Sequence, residues 1–228
     1  MIRVLQSLDE VERAKNTLEK NGLSCHGDYI KNWDLVQVSE ILDRVGKEAH
    51  VLDMGCRGKR CSDMRFLYSK GVMNSYGIDL SIPFMEKSTQ IALRIKNHMK
   101  PPFTLVQGDL TKTKFKDCSF DIIICLSVIE HGVNLESFLK EAYRLLKNLG
   151  TLYVSTDYWE PKCQVEDYPK PFGLDWKIFS RREIEELINL AKKCNFNIEN
   201  AKIPRPRDKV IHWKDKHYTE ISLIFEKQ

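Results

Sequence analysis

Residues 121–128 read DIIICLSV, apolar at consecutive positions where a half-wetted strand would alternate. A strand without alternation is covered on both faces, and the usual setting is a parallel sheet between two layers of helices. The rest of the chain agrees with that setting. Strand-like patterns fall at 49–53, 75–79, 103–107, 120–126, 151–156, 196–203 and 218–226, and helical patterns fill most of the gaps. Strand alternating with helix predicts βαβ units with right-handed crossovers.

Two helices are signalled strongly. Over 134–147, Leu135, Phe138, Leu139, Ala142, Leu145 and Leu146 share one face, Asn134 is a fitting N-cap, and Gly150 turns the chain into the next strand. After Ser180, which forms a capping box with Glu183, the apolar face is Ile184, Leu187, Ile188 and Ala191, and Asn195 suits the left-handed closing position. The last two strand patterns have no helix between them, so they should pair antiparallel. The first 48 residues carry helical patterns near 8–21 and 33–45. They are expected to form an N-terminal helical cap (1–48) over the ligand-binding edge of one structural unit (49–228).

A length of 228 residues bounds the fold at one well-buried domain with a modest extension. With 42% hydrophobic and 30% charged residues the composition is that of a globular protein, and no apolar run approaches a membrane span. The opening residues mix charge signs at helical spacing, unlike a signal or transit peptide, so a cytoplasmic location and no membrane insertion are expected. The net charge of +4 is spread along the chain, which does not favour a nucleic-acid partner. Seven cysteines stand apart with no CxxC pair; they read as reduced thiols, and no metal site is expected.

The chemistry begins at residues 51–60, VLDMGCRGKR, where a strand gives way to a glycine turn containing Gly55, Cys56 and Gly58. At the carboxyl end of a parallel strand, glycine lets the backbone approach a ligand, and the next helix offers free N–H groups. Asp79 closes the second strand, where it can accept from ribose hydroxyls, and Asp109 closes the third, where it can accept from an exocyclic amine. A nicotinamide dinucleotide would want GxGxxG and would be repelled by Asp53 just before the turn. A ligand with an ammonium, a ribose and an adenine matches the three acids better, and S-adenosylmethionine is one.

On those residues the chain resembles class I S-adenosylmethionine-dependent methyltransferases. The likeness runs through VLDMGC, YGIDLS, VQGDL, FDIIICLSVIEHG and FLKEAYRLLKNLGTLYVSTDYW, about residues 49–160. It implies a three-layer αβα sandwich with a seven-stranded, mostly parallel sheet in the order 3-2-1-4-5-7-6, strand 7 reversed. It implies S-adenosylmethionine as cofactor, held by Asp53, Gly55, Cys56, Gly58, Asp79, Leu80, Asp109, Leu110, Leu126 and Ser127. One departure stands in the loop, where Arg57 and Lys59 replace the family's second and third glycines; with Arg60 they face either the cofactor carboxylate or solvent. FGLDWKIFSRREIEELI, further on, is similar to methyltransferases of sugar and surface-glycan biosynthesis.

An oxygen nucleophile must lose a proton during methyl transfer, and His131, with Glu130 as orienting neighbour, is the expected base. The expected acceptor rim comprises Asp157, Tyr158, Trp159, Tyr168 and Trp176. A basic stretch completes it, with Arg205, Arg207, Lys209, His212, Lys214, Lys216 and His217 able to hold a phosphate. Trp33 either covers the cofactor or anchors its own helix. The expected activity is methylation of a hydroxyl on a small molecule, a sugar or nucleotide sugar first. RNA or protein methylation, a nicotinamide-dependent oxidoreductase and a non-catalytic cofactor- or RNA-binding module remain open.

Overall fold

The computed structural model describes residues 1–56, 61–82, 103–165 and 173–228. Its elements, in chain order, are β1 (Ile2–Val4), α1 (Leu8–Lys20), α2 (Asn32–Val45), β2 (His50–Met54), α3 (Ser62–Ser69), β3 (Asn74–Asp79) and β4 (Thr104–Gln107). There follow β5 (Phe120–Leu126), α4 (Leu135–Leu145), β6 (Leu146–Tyr158), α5 (Arg181–Lys193), β7 (Phe196–Asn197), β8 (Ile211–Trp213) and β9 (Lys216–Lys227).

The central strands run β4-β3-β2-β5-β6 in parallel, and β9 joins β6 antiparallel. This is the α/β class expected, with the expected crossover at β2 and a reversed last strand. Strand β5 shows why its sequence does not alternate. Ile122, Ile124 and Leu126 enter one apolar layer with Leu35, Val38 and Ile41 of α2 and Met64 and Leu67 of α3. Ile123 and Cys125 enter the opposite layer with Phe138 and Leu139 of α4 and Ile184 and Leu187 of α5. Each fully buried Ile or Leu contributes about 2 kcal/mol of transfer free energy, so the two layers hold the sheet from both sides. The caps are formed as read: Asn134 accepts from the Ser137 N–H at 2.9 Å, and Ser180 with Glu183 makes a complete capping box.

Three expectations need correction. The segment before residue 49 holds a strand as well as helices, since Ile2–Val4 pairs antiparallel with Ile221–Leu223 of β9. The strand expected over 196–203 shrinks to Phe196–Asn197, while β1 and β8 bring the sheet to nine strands among the described residues instead of seven. Strand β9 pairs with β6 along one side and meets β7 at 226–227 and β1 at 221–223, so no further long strand can lie along its remaining edge. Asn200, in a left-handed conformation, also turns the chain away from that strand. Finally, the turn at Gly150 lies inside β6 as a bulge: pairing jumps from Phe120–Leu146 to Ile122–Thr151, with exposed Leu149 left-handed between them.

Candidate active site

The carboxyl ends of β2, β3 and β5 meet at a glycine turn. Gly55 has φ +94°, and any side chain there would run into Val128 after β5. Its N–H and that of Cys56 both donate to the Ile78 carbonyl, at 2.8 and 3.2 Å, so the turn is laced to β3. A Cβ on Gly77 would come within 2.7 Å of the Cys56 sulfur. Both glycines thus permit close backbone approach, one at the turn and one beneath it. Cys56 is buried, and its thiol is pushed up by that burial and then by Asp53. Gly58, Arg57, Lys59 and Arg60 lie outside the described residues, as does Tyr168.

Asp53 is 1% exposed, and its Oδ2 has no hydrogen-bond partner. Burial raises its carboxyl well above the usual range, and Asp63 and Asp79 add to the rise. Asp79 ends β3 half-buried, with Oδ1 accepting from the Ser81 N–H at 3.1 Å. Leu80 beside it is exposed. Asp109 is exposed after β4 and closes a local turn, accepting from the Thr111 N–H and hydroxyl at 2.8 and 2.7 Å. Leu110 and Leu126 are buried next to these positions.

On the other side of β5 is a buried polar cluster. Lys31, immediately before α2, reaches Ser127 Oγ and Glu220 Oε1, with Asp34 Oδ2 at 3.8 Å. Ser127 takes a left-handed conformation and donates to Glu220 at 3.0 Å. Asp34 accepts from the Tyr153 hydroxyl at 2.7 Å. Burial opposes the charge on Lys31, but Glu220 and Asp34 outweigh it and hold the ammonium protonated. Burial, then Glu220, raises Asp34. Glu130 is raised by burial and by Asp157, and accepts from Thr156 Oγ1 at 3.0 Å. Asp157 accepts from the Trp176 indole N–H at 2.9 Å, and burial pushes its carboxyl up to about 7 against the pull of Lys31. His131 is pushed down by burial and by Lys31, so its ring is neutral at pH 7.

The expected rim is redistributed. Tyr158 is fully buried in the main apolar core and does not reach the rim: β6 extends two residues past its expected end, and Tyr158 faces inward as part of the strand. Trp159 instead packs with Trp176, Trp213 and Tyr218 around Asp157, with Lys209 5.2 Å from its ring centre. His212 and His217 meet at 3.0 Å between their Nδ1 atoms on the exposed β8–β9 hairpin. Arg207 is exposed, and Arg205 is held apart from that hairpin, lining a groove with Glu160, Arg181 and Lys202. Trp33 anchors its own helix against Leu5, Val11 and Ala14. Lys31, Asp34 and Glu220 were not marked by the sequence reading. Their usable signal was a charge on the apolar stripe of a helix (Asp34 with Val38 and Ile41) and a lone acid inside an apolar strand (Glu220).

A family model described as a methyltransferase domain matches residues 52–154, from β2 through most of β6. Over those residues the chain is similar to methyltransferase domains. The ubiquinone biosynthesis O-methyltransferase of Pelagibacter ubique is 29% identical over 168 residues, which are 69% of this chain; the match spans 65% of that relative's own length. An S-adenosylmethionine-dependent methyltransferase from Methanosarcina mazei shares the fold, with a TM-score of 0.62 at 15% identity over 82% of this chain and 96% of that one. So does the 1,6-didemethyltoxoflavin-N1-methyltransferase of Burkholderia thailandensis, crystallised with S-adenosylhomocysteine, with a TM-score of 0.62 at 17% identity over 98% and 92%.

The residues present fit S-adenosylmethionine as a cofactor. The unmet acceptor of Asp53 suits an ammonium, the backbone at Gly55 leaves room for close approach, and Asp79 stands where ribose hydroxyls would donate. When bound, the cofactor supplies an electrophilic methyl group on a sulfonium.

Proposed function

We propose that the protein methylates a hydroxyl of a small-molecule acceptor, a sugar or nucleotide sugar being the class its acceptor side fits best. The observation that carries this reading is Asp157: a buried carboxylate at the end of β6 with a pKa of about 7, oriented by the Trp176 indole. A hydroxyl gives up its proton as the carbon–oxygen bond forms, and an acceptor group with a pKa near the working pH does this best. His131, neutral at pH 7, is the second group able to take that proton. Trp176, Trp213 and Tyr218 form a wall that suits stacking on a sugar face, and the basic hairpin outside suits a phosphate. Positioning of the hydroxyl in line with the sulfonium supplies much of the rate.

The balance of one lysine against Asp34, Glu130, Asp157 and Glu220 also favours a second reading, in which the acceptor is an amine attracted by the acidic interior. The test is label transfer from methyl-labelled cofactor into a small-molecule extract, with products separated by mass spectrometry. Label on hydroxyls of sugar-containing products is expected; label on amines selects the second reading, and label retained on RNA or protein overturns both. His131→Ala is expected to lower kcat about 10²-fold or more with cofactor affinity kept.

A further inference from the structure

Strands β8 and β9 close a hairpin in which His212 stands directly opposite His217. Alternation along the strands puts Ile211, Trp213 and Tyr218 on the inner face, and leaves both imidazoles exposed on the outer one. Five residues apart in sequence, the two histidines carry no ligand motif; the hairpin register alone brings them together, with their Nδ1 atoms 3.0 Å apart. His212 Nε2 donates to the Lys209 carbonyl at 2.8 Å. A carbonyl only accepts, so Nε2 carries the hydrogen and a neutral His212 keeps its lone pair on Nδ1. The hydrogen between the rings therefore belongs to His217 Nδ1. The ring centres are only 4.4 Å apart, so the rings lean over one another instead of meeting end to end, and that hydrogen bond is bent.

This is also the geometry of a chelating pair. A bond from metal to imidazole nitrogen is about 2.0–2.1 Å, so two nitrogens held at a right angle are about 2.9 Å apart and two at the tetrahedral angle about 3.3 Å. The observed separation fits the right angle. A ligating histidine characteristically gives its other N–H to a carbonyl or carboxylate, which fixes its tautomer, and the Lys209 carbonyl does this for His212. No third His, Cys, Asp or Glu joins the pair among the described residues, which leaves the remaining positions to water. Two imidazoles in cis positions with oxygen donors suit tetragonal Cu²⁺ or Ni²⁺ rather than a closed tetrahedral zinc site. The neighbouring ammonium groups are engaged elsewhere. Lys209 lies 5.2 Å from the Trp159 ring centre, Lys214 lies 4.7 Å from that of Trp213, and Lys216 lies 3.6 Å from Asp215 Oδ2.

We propose that His212 and His217 chelate a divalent ion of the Cu²⁺ or Ni²⁺ type through their Nδ1 atoms, and that the ion staples β8 to β9. On binding, both Nδ1 lone pairs go to the metal. The hydrogen of His217 moves from Nδ1 to Nε2 by exchange with water, so neither ring changes charge. The inner face of the stapled hairpin holds Trp213 and Tyr218, so the ion stiffens the aromatic cluster from behind.

The test is calorimetric titration of the untagged protein with Ni²⁺, which spares the free thiols from the oxidation that Cu²⁺ brings. Wild type, His212→Ala, His217→Ala and the double variant are compared, all four substituted only at exposed positions of the hairpin. Wild type is expected to bind one Ni²⁺ more than the double variant. Each single substitution should weaken that binding about 10²-fold or more, because the second imidazole acts at the effective concentration of a chelate. Hydrogen exchange of the amides at 211–213 should slow with Ni²⁺ in wild type and not in the variants. Wild type that takes up no more Ni²⁺ than the double variant, or a single variant that keeps wild-type affinity, overturns the site. Unchanged exchange at 211–213 with the ion bound overturns the staple. No methyl acceptor enters these measurements, so their outcome is separate from the choice of acceptor.

Discussion

Lys31 and Glu220 are joined as a buried ion pair across 189 residues of chain, linking the residue before α2 to the carboxyl edge of the sheet. The pair shares Ser127 at the end of β5, so one lysine connects three separate parts of the fold. It is the one cation in a cluster that holds four carboxyl groups among the described residues. The charge balance of the acceptor side therefore rests on it.

Removing that charge should be costly. Lys31→Met leaves Glu220 and Asp34 buried without compensation, and breaking one side of a buried pair costs about 3–5 kcal/mol. Denaturant unfolding is expected to show a midpoint lowered at constant slope. Adding Glu220→Gln to Lys31→Met should restore much of the loss, because two neutral groups no longer demand a counter-charge. A double variant no better than the single one would place the cost elsewhere.

The rate should follow the ionisation of Asp157. As an acid with a pKa of about 7, it accepts a proton only in its ionised form, so kcat is expected to rise across the neutral range and level off above it. Asp157→Asn keeps an acceptor for the Trp176 N–H and removes the base. It should lower kcat by about 10²–10⁴-fold and flatten this rise. A profile unchanged in shape would exclude Asp157 as the base.

Stability should move with pH in the opposite sense. The folded-state pKa of Asp157 is about 7, above the ordinary aspartate value of 3.8 expected in the unfolded chain, so between those values the native state holds a proton that the unfolded state has lost. Its contribution is full below the unfolded pKa and is lost as pH rises through 7. Asp157→Asn is therefore expected to have a higher Tm than wild type at pH 8, with the difference shrinking at pH 5. Thermal melts at the two values check this.

Gly77 carries no positive φ, so its importance is one of space. A methyl there would press on Cys56 Sγ at 2.7 Å and Leu105 Cδ2 at 3.2 Å. Gly77→Ala is expected to cost about 1–3 kcal/mol by overpacking and to weaken S-adenosylhomocysteine binding through the displaced turn. Cys56→Gly in the same chain should recover part of both losses. Full recovery of stability without recovery of binding would separate the turn from the packing.

Much of this arrangement was readable from local chemistry. The central strand declared itself by its unbroken apolar run from Ile122 to Leu126, and the helices after Asn134 and Ser180 by caps that formed as written. What was missed depends on distant partners. Three residues at 2–4 are too few to show a period, and only β9 makes them a strand. Tyr158 belongs to the core because β6 runs two residues further than its pattern suggests. Lys31 sits at a helix boundary, where a lysine is ordinary, and only the fold brings Ser127 and Glu220 to it. The acids at the ends of β2 and β3 stand out in sequence because each interrupts an apolar run.

Strand β1 pairs with residues 221–223, more than two hundred positions away. Residues 2–4 have no partner strand until β9 is in place, and non-local pairings of this kind are slow to close. Until then the sheet has an open border at β6, and the arrival of β9 covers that border against edge-to-edge association.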